Sequence, residues 1–250
     1  MPFIYADSTD GTISASGSTY TAARHATTGS VSASSSSNLY AVRAASISGR
    51  GGGLTYRFAR SFFAFNVSSV TNCSAVSLNL GGYSSAGAGG GIVVMRSDAF
   101  GHDSTDDLDS DNYDAIVNWN GTDAMTGADA YSSAPAINPA SWSTSSYNTI
   151  PLGSTAENVI NNNDYIVMCV VDYTYDYLKA DPVDSGFGGG ALANNVGLHF
   201  IEQAGNKKPY LDITVPVSGF GHNVNGVLAA NIGKVNSVAT ASIGKINLVD

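Results

Sequence analysis

Charged residues are scarce in this sequence. Asp, Glu, Lys and Arg make up 12% of the 250 residues, about half of the usual share of ~25%. Glutamate is almost missing, since Glu157 and Glu202 are its only occurrences, and 20 acidic residues against 11 basic ones give a net charge of −9. Because an acidic surface with few lysines repels phosphate backbones, the sequence predicts no nucleic-acid partner.

Cysteines and long apolar runs are also scarce. The chain has two cysteines, Cys73 and Cys169, whose spacing does not require a disulfide, although a single bond between them stays open. No segment approaches the roughly 20 apolar residues of a membrane helix, so no membrane partner is expected. The first residues lack the basic start and apolar run of a signal peptide, which predicts synthesis without secretory export.

Motifs of known catalytic chemistry are missing as well. Neither G-x-S-x-G nor H-E-x-x-H occurs, and the four histidines (His25, His102, His199 and His222) are scattered along the chain. A hydrolase needs a nucleophile with its base or a positioned acid–base pair. The sequence therefore predicts a protein that is not an enzyme and has no cofactor.

Strand patterns dominate what is present. Hydrophobic residues make up 43% of the chain and glycines number 28, which is typical of turn-rich β-proteins. Residues 56–80 form the central pattern, with aromatics in both parities of a first strand and strict alternation in a second. We expect one apolar sheet face from these two strands, made of Phe63, Phe65, Val67, Val76, Leu78 and Leu80.

The remaining patterns predict further strands and one helix. Residues 91–100 and 165–173 are apolar on both faces, typical of central strands, and residues 209–217 alternate as a closing strand. Ser154 with Glu157 matches a capping box and predicts a short helix that starts at Ser154 and ends near residues 161–163. The prediction is an all-β protein: a jelly-roll β-sandwich with one short helix and a C-terminal repeat extension. Its divisions are an arm (1–7), the sandwich (8–217) and the extension (218–250).

An acidic run occupies residues 102–114. Asp107, Asp109 and Asp111 have the 1-3-5 spacing of a calcium loop, but Asn112 and Asn118 stand where an EF-hand needs glycine and glutamate. Two interpretations stay open, a looser calcium site and a solvated acidic loop.

Flat aromatic side chains are the candidate ligand-binding residues. Trp119, Trp142 and the alternating Tyr173, Tyr175 and Tyr177, which we expect on one strand face, could stack on sugar rings. The alternative is that these aromatics pack in the sandwich or in a subunit contact.

The order of the pieces resembles that of the DNRLRE-type jelly-roll proteins over roughly residues 8–216. The resemblance lies in RSFFAFNVSSV, AVSLNLGGY and KKPYLDITV, and it is carried by Arg60, Phe63, Phe65, Val76, Leu78, Leu80, Pro209, Leu211 and Ile213. That family is similar to carbohydrate-binding modules and occurs in secreted bacterial proteins and phage structural proteins. The resemblance implies the fold more than a function, because these are packing positions. In the family's middle segment only VNWNG, residues 117–121, is similar here, so the resemblance does not by itself imply a sugar site in that region.

The C-terminal residues contain a repeat of period 11, VNGVLAANIGK followed by VNSVATASIGK. It is similar to the IGKVNGVA tails of structural proteins from marine tailed phages. On a helix, one broad stripe would hold Leu228 and Val249 together with the seven residues that we expect to mediate assembly, Val224, Val227, Ile232, Val235, Val238, Ile243 and Ile246. Glycines and β-branched residues favour a strand-and-turn repeat instead, and both conformations stay open. In either, so short a repeat cannot bury its own apolar stripe.

Two functions follow as hypotheses. The first is a virion structural protein of a tailed phage, a capsid decoration or a tail or fibre component. It would assemble through the seven stripe residues with other copies of itself, most simply as a trimer, and with other virion proteins. The second is a carbohydrate-binding or adhesive module that recognises glycans on a host surface.

Overall fold

The computed structural model describes residues 3–33, 36–48, 53–86, 91–102, 106–181, 194–205, 207–216, 234–235 and 238–239. The chain divides into two compact units, Met1–Thr214 and Val215–Asp250. The first unit contains eleven of the thirteen described strands and both described α-helices.

Strands are the main regular secondary structure of the first unit. They are β1 (Ile4–Tyr5), β2 (Gly11–Gly17), β3 (Ser30–Ser32), β4 (Ser37–Ser48), β5 (Leu54–Asn66), β6 (Ala75–Ala86), β7 (Ile92–Arg96), β8 (Tyr147–Leu152), β9 (Tyr165–Asp172), β10 (Asn194–His199) and β11 (Tyr210–Thr214). All of the pairings described between them are antiparallel. The all-β sandwich predicted from the sequence is confirmed.

The eleven strands form one hydrogen-bonded network in the order β1-β11-β6-β10-β4-β5-β2-β3, with β8 on β6 and β9 and β7 joined through β5. Two long strands link its parts. The first half of β6 pairs with β11 and β8, and its second half pairs with β10. The first half of β5 lies between β4 and β2, and its second half pairs with β9.

The two strands predicted around residues 56–80 are present as β5 and β6, and all six residues of the expected apolar face are buried. The expectation that they form one sheet face is wrong in one respect. In the described pairings β5 does not pair with β6; each strand has other neighbours. The two strands follow one another in the sequence but are not neighbours in the sheet, and local alternation does not reveal which strands pair.

The two faces of β5 are covered differently. Phe58, Phe62 and Ala64 belong to a core cluster that includes α1 residues, the loops after β7 and the segment after β9. Phe63 and Phe65 have the opposite parity, and Phe63 stacks on Phe200 with ring centroids 5.7 Å apart. One face therefore packs under loops, while the other is buried within the strand layers.

Two short α-helices are described rather than the one predicted. α2 (Ser154–Asn162) matches the predicted helix, and its buried face consists of Ala156 and Ile160. The predicted capping box is wrong: Gly153 is the N-cap, without a side-chain hydrogen bond, and Ser154 lies inside the helix. The additional helix, α1 (Tyr20–Arg24), begins where the Thr19 hydroxyl accepts a hydrogen bond from the amide of Ala22. Thr19 supplies the N-cap oxygen that helix starts favour.

The N-terminal residues pair with the edge of the network. Ile4 and Tyr5 of β1 lie opposite Leu211 and Tyr210 of β11. Phe3 and Tyr5 stay about half exposed beside the ring of Tyr210, with centroids 4.6 and 6.0 Å away. Tyr147 of β8 meets the same ring edge-on at 4.9 Å. A cluster of four aromatic side chains, two exposed and two half-buried, therefore lies at this part of the sheet.

Candidate functional site

The predicted tyrosine strand face is a π-helical turn instead. Tyr173–Tyr177 follow β9 directly, and the Asp172 carboxylate accepts hydrogen bonds from the amide of Tyr175 at 2.6 Å and from the amide side chain of Asn194 at 2.8 Å. The capping carboxylate bends the chain out of the strand, so that the rings of Tyr173 and Tyr177 stack 5.8 Å apart. Tyrosines at every second position have the period of a β-strand, and for this reason the sequence predicted a strand here.

This turn delivers Asp176 to a buried arginine. Arg60, on the loop-covered face of β5, donates from Nε to Oδ2 of Asp176 at 2.7 Å and from Nη2 to Oδ1 at 2.8 Å. Both side chains are almost wholly buried. Burial opposes the charged guanidinium, yet the attraction of Asp176 raises the pKa of Arg60 above its usual value. A bidentate geometry of this kind is the strong form of an ion pair.

Arg24, at the end of α1, completes the cluster through main-chain oxygens. Its Nε and Nη2 donate to the carbonyl of Asp176 at 2.9 and 2.6 Å, and Nη2 also donates to the carbonyl of Asp123. One turn thus receives hydrogen bonds from two arginines, one at its carboxylate and one at its carbonyl. The two guanidinium groups tie α1, β5, the loop at residues 122–123 and the π-helical turn together.

Two aromatic rings cover the arginines. The Arg60 guanidinium carbon lies 4.1 Å from the centroid of Tyr113 and 4.6 Å from that of Trp119, and Arg24 lies 5.0 Å from Trp119. The indole nitrogen of Trp119 donates to the carbonyl of Asp123 at 2.9 Å. Cation–π contacts and satisfied donors explain the cluster as a structural centre under the loops.

The structure brings four of the five predicted ligand-binding aromatics together and separates the fifth. Tyr175 and Tyr177 lie in the core cluster, and Trp119 and Tyr173 pack against it. Trp142 is 7% exposed and lies against β6, with its indole nitrogen buried and unpartnered beside Gly82. Little ring area of Trp142, Tyr175 or Tyr177 is open for stacking on a sugar.

The predicted acidic residues line one surface depression. Asp107, Asp109 and Asp111 are exposed and border a cavity of about 400 Å³ with Phe100 and Leu108. Asp109 caps the short 3₁₀ turn Ser110–Asp114, since its carboxylate accepts from the Ser110 amide. Within the described part of the chain, His, Cys, Asp and Glu side chains form no group of three or more that could hold a metal ion.

Five of the seven predicted oligomerisation residues lie outside the described residues: Val224, Val227, Ile232, Ile243 and Ile246. The other two are described at the backbone. Strands β12 (Lys234–Val235) and β13 (Val238–Ala239) pair antiparallel, with Val235 opposite Val238. At these four residues the backbone takes the strand-and-turn alternative rather than the helix.

A polar cavity on the first unit is the strongest candidate site. Registered partners in neighbouring strands share one sheet face, and one such row runs Ser30, Ser14, Ala59, Arg43 and Asn195 across β3, β2, β5, β4 and β10. Ser16 opposite Arg57 begins the next row. The small side chains of Ser14 and Ala59 leave a cavity of about 290 Å³ between the larger ones.

Arg43 is the unusual residue of this cavity. It is 7% exposed, and its Nε has no hydrogen-bond partner. Its guanidinium carbon lies 4.2 Å from the ring centroid of Tyr40. Burial lowers the pKa of Arg43, the Tyr40 side chain opposes this shift, and the charge of Arg57 adds to it. Buried polar groups are nearly always paired, so an unpaired guanidinium nitrogen requires an explanation.

A second buried polar atom without a partner lies on the neighbouring strand. Asn195 is the register partner of Arg43 on β10, and its Oδ1 is buried without a partner while its Nδ2 donates to the carbonyl of Leu39 at 3.3 Å. Sequence reasoning missed this set of residues. The alternating hydroxyls of Thr12, Ser14 and Ser16 were a visible signal, but the register that sets Arg43 between Ala59 and Asn195 is a long-range property.

No protein-family model matches this chain, and a search of curated proteins finds no match either. Among the described residues, none of the helices is both long and apolar enough to span a bilayer. The DNRLRE-type resemblance therefore rests on the residues quoted for it. Those residues are buried, as packing positions should be.

Proposed function

We propose that this protein is a non-enzymatic virion structural protein of a tailed phage, a capsid decoration or a tail or fibre component, that assembles through its C-terminal repeat. The period-11 repeat carries the proposal. It is supported by the separation of residues 215–250 into a compact unit of their own, whose described strands are only two residues long. A repeat of this length cannot bury its own apolar stripe, so its valines would gain stability from a partner such as a second copy.

Truncation tests this proposal. We expect the full chain to form an oligomer, with a trimer as the favoured state, and a variant ending at residue 217 to be a folded monomer. Size-exclusion chromatography with light scattering measures the mass, and circular dichroism with thermal melting checks the sandwich. A full-length chain with Val235→Ser and Val238→Ser is the finer variant, and Lys234→Gln is its control. An unchanged oligomer after truncation would contradict the proposal.

A second candidate function is glycan recognition by the first unit. The observation that favours it is the cavity of about 290 Å³ described above, whose lining includes the hydroxyl residues Thr12, Ser14, Ser16, Ser30 and Ser32. Its volume is near the lower end of the roughly 300–1,000 Å³ of small-molecule sites. A glycan array probed with the full chain tests the candidate, and a fibre or decoration protein could perform both roles.

A further inference from the structure

We propose that the cavity between Arg43 and Arg57 binds an oxyanion group carried by a small polyhydroxylated molecule, that is, an acidic saccharide. The inference deepens the second candidate function, on which its saccharide part rests. Three observations carry it: an arginine without a counter-ion, a buried guanidinium nitrogen of that arginine without a hydrogen-bond partner, and the shape and lining of the cavity.

The absent counter-ion is the first observation. The protein holds 20 acidic residues, yet in the described parts of the chain no carboxylate lies within ion-pair distance of Arg43 or Arg57. The other buried arginines differ, because the Asp176 carboxylate pairs with Arg60 and lies 3.4 Å from Nε of Arg24, which also donates to carbonyl oxygens. A desolvated guanidinium is costly unless it is paired. An anionic ligand would supply the pairing that the chain itself does not.

The geometry of the donors fits a planar or tetrahedral oxyanion. Stacking of Arg43 on Tyr40 holds the guanidinium plane and leaves its Nε edge unpaired. Arg57 lines the same cavity from an exposed position. It lies two residues from Ala59 along β5, at the next registered pair on the same sheet face. Arginine binds carboxylate, sulfate and phosphate groups through such an edge. Two guanidinium groups in one cavity therefore favour a ligand with negative charge.

A bare inorganic ion explains less of the site. The cavity of about 290 Å³ is several times the ~30 Å³ share of one water molecule in the liquid, so it has room for more than one small ion. Hydroxyl side chains on β2 and β3 can exchange hydrogen bonds with further ligand hydroxyls. The ligand is therefore larger than its charged group.

Titration of the full chain with four probes tests the inference. The probes are a disaccharide that contains a uronate, a sulfated disaccharide, a neutral disaccharide of the same size, and inorganic sulfate. Isothermal calorimetry gives affinities, and NMR of the arginine Nε–H groups reports contact at Arg43. We expect at least one acidic disaccharide to bind about tenfold or more tightly than the neutral one, with an affinity that falls as salt rises.

Three variants accompany the titration. We expect Arg43→Gln and Arg57→Gln each to weaken the acidic disaccharide about tenfold, and Lys179→Gln, which removes an exposed charge elsewhere, to leave it unchanged. Because Arg57 is exposed, we expect Arg57→Gln to fold, and this variant tests the inference even if Arg43→Gln unfolds. The inference would be overturned if both arginine variants bound the acidic disaccharide as tightly as the unchanged protein, or if inorganic sulfate alone saturated the site.

The results also separate this inference from the glycan-binding candidate. Neutral and acidic disaccharides that bind equally, with no effect of Arg57→Gln, would leave glycan recognition standing and remove the oxyanion site. If none of the saccharides binds, both ideas fail together.

Discussion

Arg60 and Asp176 meet through two parallel hydrogen bonds of 2.7 and 2.8 Å although 116 residues separate them in the chain. This contact fixes the loop layer to β5 because Arg60 also donates to the carbonyls of Tyr113 and Arg24. Three separate segments therefore depend on one guanidinium group.

Removing the charge of Asp176 should destabilise the first unit strongly. We expect Asp176→Asn to lower the free energy of unfolding by about 3–5 kcal/mol, because it leaves Arg60 buried and unpaired. Urea denaturation followed by tryptophan fluorescence measures the loss. The control is Lys179→Gln, which breaks an exposed pair with Asp123 of 3.8 Å and should change stability by less than about 1 kcal/mol. A similar small change in both variants would contradict the role of the pair.

Local sequence patterns predict individual strands and helices of this fold, but they do not predict which strands pair. Strands β5, β6, β7 and β9 and helix α2 follow from local patterns: alternation in β6, continuous apolar or aromatic runs in the other three strands, and helix-start residues in α2. The contacts Arg60–Asp176 and Arg43–Asn195 depend on which distant strands become neighbours, and no local pattern records that choice. The turn at Tyr173–Tyr177 was mistaken for a strand because the Asp172 cap, and not side-chain alternation, decides the backbone there.

Gly82 should tolerate no side chain. A Cβ atom at this position would collide with the main-chain oxygen of Ser143 and lie 2.8 Å from the indole nitrogen of Trp142. We expect Gly82→Ala to cost about 1–3 kcal/mol or more in thermal or urea unfolding. Gly53→Ala is the matched control, since nothing lies within 4 Å of its added Cβ, and it should be neutral or slightly stabilising. Equal stability of the two variants would show that the loop at residues 142–143 moves aside.

The free energy of unfolding of the first unit should fall as pH rises from about 4 to 8. Burial, assisted by the charge of Glu202, raises the pKa of Asp10 to about 8, although the amide of Ile201 donates to its carboxylate at 3.1 Å. Burial raises the pKa of Asp172 to about 7. Both carboxyl groups titrate near 4 in the unfolded chain, so the folded state binds more protons in this window and loses stability as they leave.

The Asp10→Asn variant tests this pH dependence. We expect it to flatten the fall by up to about 1.4 kcal/mol per pH unit, measured as urea midpoints at pH 5, 6, 7 and 8. Asp212→Asn, at an exposed position of β11, should leave the slope unchanged. A wild-type stability that rises with pH over the same window would refute the raised pKa of Asp10.

Trp142 should contribute to stability through burial. Its indole lies against Gly82, and the loop that carries it is clamped where the Asn148 side chain accepts from the Ser143 amide at 2.8 Å and donates to its carbonyl at 2.9 Å. We expect Trp142→Ala to lower the free energy of unfolding by about 3–5 kcal/mol. Tyr83→Ala, which truncates a ring that is 47% exposed, should cost much less. If Trp142→Ala left stability intact and abolished binding to a glycan array, the indole would instead be a ligand-binding residue.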